Sequence, residues 1–189
     1  MDVGKLIVIV APSGSGKSTL IKKLRTHFQN LKESVSYTTR QIRPGEKNGE
    51  NYFFIDKHSF ENKIKENDFL EHALVHGNYY GTSKQFVEKT KNSGKSVLFD
   101  LDVQGCDAFK DHFGDEVEVI FIAPPSLEEL EARLVKRGTE KQDVIDMRLS
   151  NAKKELLRKN DYDYLVINDD FDTCYNELVV LITTILKEA

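Results

Sequence analysis

Apolar residues are concentrated in four short runs, which the pattern predicts to be buried strands. The runs are Lys5–Val10, Val97–Asp100, Val117–Ile122 and Tyr164–Ile167. The first holds five consecutive apolar residues from Leu6 to Val10, which is typical of a parallel strand covered on both faces. Between the runs, apolar residues recur at helical spacing. Strands that alternate with helices indicate an α/β fold with a parallel sheet flanked by helices.

The predicted helices carry capping signals at two of their N-termini. Ser126 and Glu129 form a capping box, so a helix is predicted to begin at Leu127. Asp172 is the predicted N-cap of the last helix. The helix after the first strand is predicted from apolar residues on one side, at Leu20, Leu24 and Phe28.

The region from residue 33 to residue 95 departs from this alternation. It is rich in Tyr, Thr, Asn and Gly, and Pro44-Gly45 and Asn48-Gly49 are turn signals. Short strand-like pieces surround one short helix near Phe60–Ile64. We therefore predict a mixed α+β subdomain inserted into a single α/β domain.

Composition narrows the class of ligand and the compartment. The 189 residues suit one domain, 39% are hydrophobic and 31% are charged, and the apolar runs stay well short of the roughly 18 residues of a membrane span. The chain opens without a leader-like segment and has two widely separated cysteines, so we expect a cytoplasmic protein with no membrane partner. The net charge of −4 argues against a nucleic-acid surface, whereas clusters of Lys and Arg favour compact polyanionic ligands.

A phosphate-binding loop follows the first strand. Its sequence, Ala11-Pro12-Ser13-Gly14-Ser15-Gly16-Lys17-Ser18, matches the pattern G-x-x-x-x-G-K-S/T except at the first position. Backbone N–H groups in such a loop, together with the positive end of the following helix, bind phosphate. Lys17 is expected to reach the β and γ oxygens and Ser18 to ligate Mg²⁺. The predicted ATP-binding residues here are Ala11, Pro12, Ser13, Gly14, Ser15, Gly16, Lys17, Ser18 and Thr19.

Ala11 stands where the loop pattern has glycine. A methyl group costs little where φ is negative and about 1 kcal/mol where φ is positive. We expect modest strain at this position and an intact phosphate site.

The loop indicates a nucleotide and little more. Switch GTPases read guanine through an N-K-x-D segment, and the nearest match here, Asn168-Asp169-Asp170, lacks the lysine. The acceptor of the phosphate must therefore be sought in the rest of the chain.

Further segments resemble the guanylate kinase family over nearly the whole chain. They are Ser36–Glu46, Asn48–Tyr52, Gly77–Thr82, Asp100–Gly105, Ile122–Ser126, Arg137–Thr139 and Asn168–Asp170. The family loop begins with Gly, so Ala11 is a departure. The resemblance implies a P-loop kinase core, about residues 1–32, 96–125 and 152–189, with residues 33–95 as a GMP-binding subdomain and residues 126–151 as a helical lid.

The resemblance implies that GMP binds in the inserted subdomain. Arg40 and Arg43 would hold its phosphate through charge-assisted hydrogen bonds, with the hydroxyls of Tyr52 and Tyr80 as neutral donors. Glu71 would accept the adjacent N1–H and N2–H groups of guanine, whereas adenine presents a lone pair there. The other implied GMP-binding residues are Ser36, Thr82, Asp100 and Asp102.

The implied reaction is the reversible transfer of a phosphoryl group from ATP to GMP, and also to dGMP, with Mg²⁺, giving ADP and GDP. Its transition state is loose, so positioning and positive charge supply most of the catalysis. The implied catalytic residues are Lys17, Arg40, Arg137 and Arg148. Arg133, Arg137 and Asn168 would also bind ATP, and Asp100 would orient Mg²⁺-bound water or the acceptor arginines. The oligomeric state stays open.

Two other interpretations of the sequence remain. One is a guanylate-kinase-like interaction module that has lost catalysis, and the other is a kinase of similar architecture with a different acceptor, such as a sugar phosphate. Gly16, Lys17 and Ser18 favour an enzyme, because such modules usually lack a working phosphate loop.

Overall fold

The computed structural model describes residues 4–75, 77–136 and 142–187. Its elements, in chain order, are β1 (Leu6–Val10), α1 (Lys17–His27), β2 (Lys32–Glu33), β3 (Tyr37–Thr38), β4 (Phe53–Phe54), α2 (Lys57–Lys65), β5 (Phe69–Val75), β6 (Asn78–Ser83), α3 (Lys84–Asn92), β7 (Val97–Leu101), α4 (Val103–Phe113), β8 (Val117–Ala123), α5 (Leu127–Lys136), α6 (Gln142–Leu157), β9 (Tyr164–Ile167) and α7 (Phe171–Lys187).

The central sheet has five strands in the order β2-β7-β1-β8-β9, and all its pairings are parallel. Strand β1 lies in the middle, paired with β7 on one side and β8 on the other. Every residue of β1 is 0% exposed, because helices cover both faces of the sheet. The predicted parallel α/β fold is confirmed.

Alternation along β1 divides the core into two layers. Ile7 and Ile9 face a layer that includes Leu24 of α1 and Leu178 of α7. Val8 faces the opposite layer, which contains Phe109 of α4 and Val87 of α3. Helices therefore cover both faces of the sheet, and the loops that follow the strands lie at its carboxyl edge.

A second sheet of four strands, in the order β4-β3-β6-β5, lies within the predicted insertion. Strand β3 is parallel to β4 and antiparallel to β6, and β5 is antiparallel to β6. Phe60 of α2 packs on this sheet, with ring centroids 4.5 Å from Phe69 and 5.2 Å from Tyr79. Helix α3 also falls within residues 33–95, but its Val87 belongs to the core of the central sheet.

Helices α5 and α6 pack together through a small apolar cluster of their own, formed by Leu130, Leu134, Ile145 and Ala152. The predicted cap of α5 is present, since the Glu129 N–H donates to Ser126 Oγ at 3.1 Å. In the described parts of the chain, no helix is long and apolar enough to cross a membrane.

The predicted cap of the last helix was wrong by two residues. Helix α7 begins at Phe171, and Asp170 Oδ1 accepts the Thr173 N–H at 2.8 Å. Asp172 lies in the first turn and instead pairs with Lys23 at 2.7 Å. An acidic residue stands at both positions, so the sequence pattern does not separate the cap from the first turn.

Candidate functional site

The phosphate loop joins the carboxyl end of β1 to the N-terminus of α1. Gly14 and Gly16 have φ of 100° and 89°, a left-handed region that favours glycine. Gly16 is the N-cap of α1, so the first N–H groups of the helix face the space above the sheet edge. This arrangement is an anion site built from backbone.

Ala11 does not carry the strain that a glycine position can impose. Asn67 is the one non-glycine residue with positive φ in the parts of the chain that the structure describes, so φ at Ala11 is not positive. Ala11 is half-buried and packs against the core layer beneath α1. The backbone at Ala11 therefore accommodates a side chain, and an intact phosphate site stays a prediction.

Two predicted ATP-binding residues brace the loop from behind. Buried Asn168 donates from Nδ2 to the Ser15 carbonyl at 2.6 Å. Arg133 donates to the carbonyls of Asn168 and Asp169, at 2.9 and 3.2 Å, and to Glu129 Oε1 at 2.9 Å. Neither side chain lines the cleft described below. The family resemblance implied that both residues bind ATP, but it does not indicate the direction of their side chains.

Lys17 is held at the carboxyl end of β7. Its Nζ lies 2.7 Å from Asp100 Oδ1 and also donates to the Leu101 carbonyl. Arg148 of α6 reaches the same loop from the other side, with Nη1 2.7 Å from Ser13 Oγ. Arg137, predicted as catalytic and ATP-binding, lies outside the described residues.

A cleft of about 610 Å³ opens between this loop and the second sheet. One side is lined by the predicted loop residues other than Ser15, together with Arg148. The other side is lined by the residues predicted for the acceptor, other than Arg40 and Thr82. Both sets of predicted residues therefore meet in one cavity.

Glu71 lies in the wall of the cleft and is 6% exposed. The Thr82 hydroxyl donates to Glu71 Oε1 at 2.6 Å. Burial raises the pKa of Glu71 to about 7, the bond from Thr82 opposes the rise, and the charge of Asp102 adds to it. A carboxylate held in this way favours a ligand that brings its own N–H donors.

Gly105 allows Glu71 to sit against α4. A Cβ added at Gly105 would lie 3.1 Å from Glu71 Oε2 and 3.3 Å from Asp102 Oδ1. Asp102 is the N-cap of α4, and its Oδ1 accepts the Gly105 N–H at 2.8 Å. The predicted acceptor residue Asp102 is therefore fixed by a helix cap.

The two predicted phosphate-binding arginines have different surroundings. Arg43 is exposed and lines the cleft. Arg40 is not among the residues that line the cleft, but its guanidinium Cζ lies 5.4 Å from the ring centroid of Tyr52, which does line it. The guanidinium donates to both carboxylate oxygens of Glu46, at 3.0 and 2.8 Å. The sequence analysis did not single out Glu46, although it stands in the same segment.

Glu155 of α6 also lines the cleft, and the sequence analysis did not identify it. Burial raises its pKa, while the charge of Lys17 lowers it and that of Asp102 raises it. Glu155 follows Arg148 by two helical turns, so both lie on one face of α6. Helical periodicity from Arg148 was the available signal.

The residues of the cleft fit a magnesium ion that is held mainly by nucleotide phosphates. The Ser18 hydroxyl and the Asp100 and Asp102 carboxylates line it, and oxygen is the ligand that Mg²⁺ prefers. Within the described residues, no group of three or more His, Cys, Asp or Glu side chains is arranged to hold a metal ion. Such a donor set suits a magnesium ion with one or two protein ligands, whose other ligands would be phosphate oxygens and water.

Comparisons with known proteins agree on one family. The family model described as guanylate kinase matches residues 3–185. A guanylate kinase from Hydrogenovibrio crunogenus is 49% identical over 175 residues, covering 93% of this chain and 85% of that protein. One from Rickettsia bellii is 44% identical over 179 residues, covering 95% and 93%. The crystal structure of guanylate kinase from Anaplasma phagocytophilum matches with a TM-score of 0.80 and 32% identity, covering 98% of this chain and 88% of that one.

Burial of Glu71 predicts a pH-dependent stability cost. The pKa of about 7 in the folded chain lies above the ordinary 4.5, so this contribution to stability is present below pH 4.5 and is lost as the pH rises through 7. Glu71→Gln removes the titration. We expect the free energy of unfolding of this variant, relative to wild type, to increase by about 2 kcal/mol between pH 5 and pH 8.

Urea unfolding at pH 5 and pH 8 measures the free energy of unfolding of the variant and of wild type. Glu66→Gln, at an exposed position, is the matched control, and its free energy of unfolding relative to wild type should be the same at both pH values. If the free energy of unfolding of Glu71→Gln relative to wild type is also the same at both pH values, the raised pKa of Glu71 is contradicted.

Proposed function

The chain belongs to the guanylate kinase family, the ATP:GMP phosphotransferases, and from that premise we propose which side of its cleft binds each nucleotide. ATP lies on the phosphate loop, GMP lies against the second sheet, and the γ-phosphoryl group passes between them. The observation that carries this proposal is the single cleft, lined on one side by Lys17 and the loop and on the other by Arg43 and Glu71.

The donor side binds the phosphates of ATP through backbone N–H groups and the Lys17 ammonium. Support comes from the two left-handed glycines, which turn the loop, and from the N-terminus of α1 at Gly16. Ser18 is the residue that we propose as the protein ligand of Mg²⁺. When bound, the ion would neutralise part of the negative charge of the nucleotide phosphates.

The acceptor phosphate binds to Arg40, Arg43, Tyr52 and Tyr80. Arg43 and the two tyrosines line the cleft, and Arg40 stacks behind Tyr52. Tyr52 keeps its proton near neutral pH, because burial raises the pKa of its hydroxyl further above 10. Two guanidinium groups and two hydroxyl donors suit a phosphate dianion.

Guanine is recognised by Glu71. Its N1–H and N2–H groups are adjacent donors, which the carboxylate accepts while the Thr82 hydroxyl donates to Oε1. Adenine has an acceptor at N1, so it would leave the buried carboxylate facing a lone pair. Ser36 and Asp102 complete the base site. No role here falls to the ribose 2′-hydroxyl, so we propose dGMP as a second acceptor.

In the transfer step, a phosphate oxygen of GMP attacks the γ-phosphorus of ATP, and the bond from that phosphorus to the β–γ bridging oxygen breaks. Negative charge spreads over the equatorial oxygens and the leaving oxygen. Lys17 and Arg148 lie on the loop side of the cleft, where this charge develops. We propose that they stabilise it together with Arg137, whose role rests on the family resemblance. Asp100 orients Lys17 from the end of β7.

We also propose the cytoplasm as the compartment. Cys106 and Cys174 are buried free thiols, which suit a reducing environment.

Replacement of Lys17 tests the donor side. We expect Lys17→Met to lower kcat in a coupled assay with ATP and GMP by about 10³-fold or more, because the charge that neutralises the transferring group is lost. Lys22→Met, at an exposed position of the same helix, is the matched control and should keep kcat within about twofold. Normal turnover by a folded Lys17→Met protein would overturn the assignment.

Replacement of Glu71 tests the base site. We expect Glu71→Gln to reduce the ratio of kcat/KM for GMP to kcat/KM for AMP by about 10²-fold, because the amide can no longer accept two parallel N–H groups. Glu66→Gln serves again as the control, and its ratio should equal that of wild type. If the Glu71→Gln ratio is also unchanged, another group reads guanine. Faster turnover of a sugar phosphate than of GMP by wild type would assign a different acceptor.

A further inference from the structure

We propose that Glu46 is a positioning residue of the acceptor site, which fixes the guanidinium of Arg40 so that one edge of it is presented to the phosphate of GMP. The inference rests on the proposed function, in which Arg40 binds that phosphate. Glu46 itself touches neither nucleotide and acts through Arg40.

The pairing of Glu46 with Arg40 is bidentate. Arg40 Nη1 donates to Glu46 Oε2 at 3.0 Å, and Nη2 donates to Oε1 at 2.8 Å. The side chains are 13% and 19% exposed, so the pair is shielded from water. Paired planes of this kind fix orientation as well as distance, unlike the flexible ion pairs of an open surface.

Glu46 also anchors the turn that carries Arg43. Its Oε2 accepts the Arg43 N–H at 2.8 Å, and the Glu46 N–H donates to the Arg43 carbonyl at 3.0 Å. One carboxylate therefore holds the guanidinium of one acceptor arginine and the backbone of the other.

The donors of Arg40 divide into a bound edge and an available edge. A guanidinium has five N–H groups. Glu46 takes two of them, and the Gln41 carbonyl takes a third, from Nη1 at 2.8 Å. The Nε–H and the second N–H of Nη2 are bound by neither Glu46 nor Gln41, and they lie side by side on one edge, a spacing that matches two oxygens of a phosphate. The Tyr80 hydroxyl, a proposed ligand of the same phosphate, also hydrogen-bonds to the guanidinium.

The surroundings of Arg40 favour the same orientation. The rings of Tyr52 and Phe54 lie 5.4 and 5.6 Å from its Cζ, which restricts the plane of the guanidinium. Burial lowers the pKa of Arg40, but the Glu46 carboxylate and the Tyr80 hydroxyl raise it by more, so the group stays charged. The Glu46 carboxylate and the proposed phosphate lie on different edges of the guanidinium. The repulsion between them therefore acts over a longer distance than the hydrogen bonds of Glu46 to Arg40.

The test compares two glutamates of one loop. Glu46→Gln keeps the size of the side chain but replaces one acceptor oxygen with an N–H₂ group that faces an arginine donor. Glu50→Gln makes the same change of charge at a side chain that is 62% exposed and pairs with Lys47 at 3.2 Å. We expect Glu46→Gln to raise the KM for GMP about 30-fold and to leave the KM for ATP within about twofold, with Glu50→Gln close to wild type in both.

Guanosine separates positioning from general loosening of the subdomain. It has the base and ribose but no phosphate, so its dissociation constant, measured by calorimetry or by competition with GMP, should be the same for Glu46→Gln and wild type. Equal weakening of guanosine and GMP would overturn the proposal in favour of a structural role. A lower KM for GMP in Glu46→Gln would overturn it in favour of simple charge repulsion.

Arg40→Ala separates this inference from the proposed function. If Arg40→Ala leaves the KM for GMP unchanged, the assignment of Arg40 fails, and Glu46 has nothing to position. If Arg40→Ala raises it and Glu46→Gln does not, the role of Glu46 alone fails. In the Arg40→Ala background, the effect of Glu46→Gln should shrink to the part that acts through the turn carrying Arg43, and full additivity would count against coupling. Should Glu46→Gln not fold, Glu46→Asp should raise the KM for GMP in the same direction and by less, and an unchanged value would contradict the proposal.

Discussion

The cleft depends on a backbone conformation that the phosphate loop cannot hold by itself. Gly14 and Gly16 have left-handed φ, and their missing side chains admit close neighbours. A Cβ at Gly14 would lie 2.9 Å from Leu130 Cδ1, and one at Gly16 would lie 2.6 Å from Asn168 Nδ2. The loop is thus packed from outside by α5 and by the turn after β9. Because Arg133 joins these two supports, the conformation of the loop depends on residues that do not line the cleft.

The proposed base site at Glu71 illustrates a conflict between recognition and stability. A carboxylate is selective for adjacent N–H donors when water is excluded, and the same exclusion raises its pKa towards neutrality. Gly105 makes the close packing against Glu71 feasible, and Thr82 supplies one hydrogen bond in the absence of a base. A site of this kind gives up part of the free energy of folding in exchange for selectivity.

Much of the fold could be predicted from the sequence, because continuous apolar runs identify central parallel strands and a glycine-lysine loop needs a strand before it and a helix after it. The direction of side chains could not be predicted. Arg133 and Asn168 were placed near the nucleotide, and the structure turns both towards the back of the loop. Spacing along a chain reports which residues share a face, but bonds to carbonyls such as that of Ser15 depend on tertiary geometry. Glu46 was missed for the same reason, because its pairing with Arg40 depends on how the turn between the two residues folds.

The parallel pairing of β1 has a consequence for the kinetics of folding. Leu6 pairs with Val97, on the far side of the whole inserted subdomain, and with Val117 beyond it. Strand β1 therefore pairs with its neighbours only after long chain segments have been brought together. The conformational entropy of closing these loops is lost before the packing of the core stabilises the chain. Contacts this distant in the sequence predict slow refolding, and a chain still emerging from the ribosome cannot complete its core until α7, which supplies Leu178, has been synthesised.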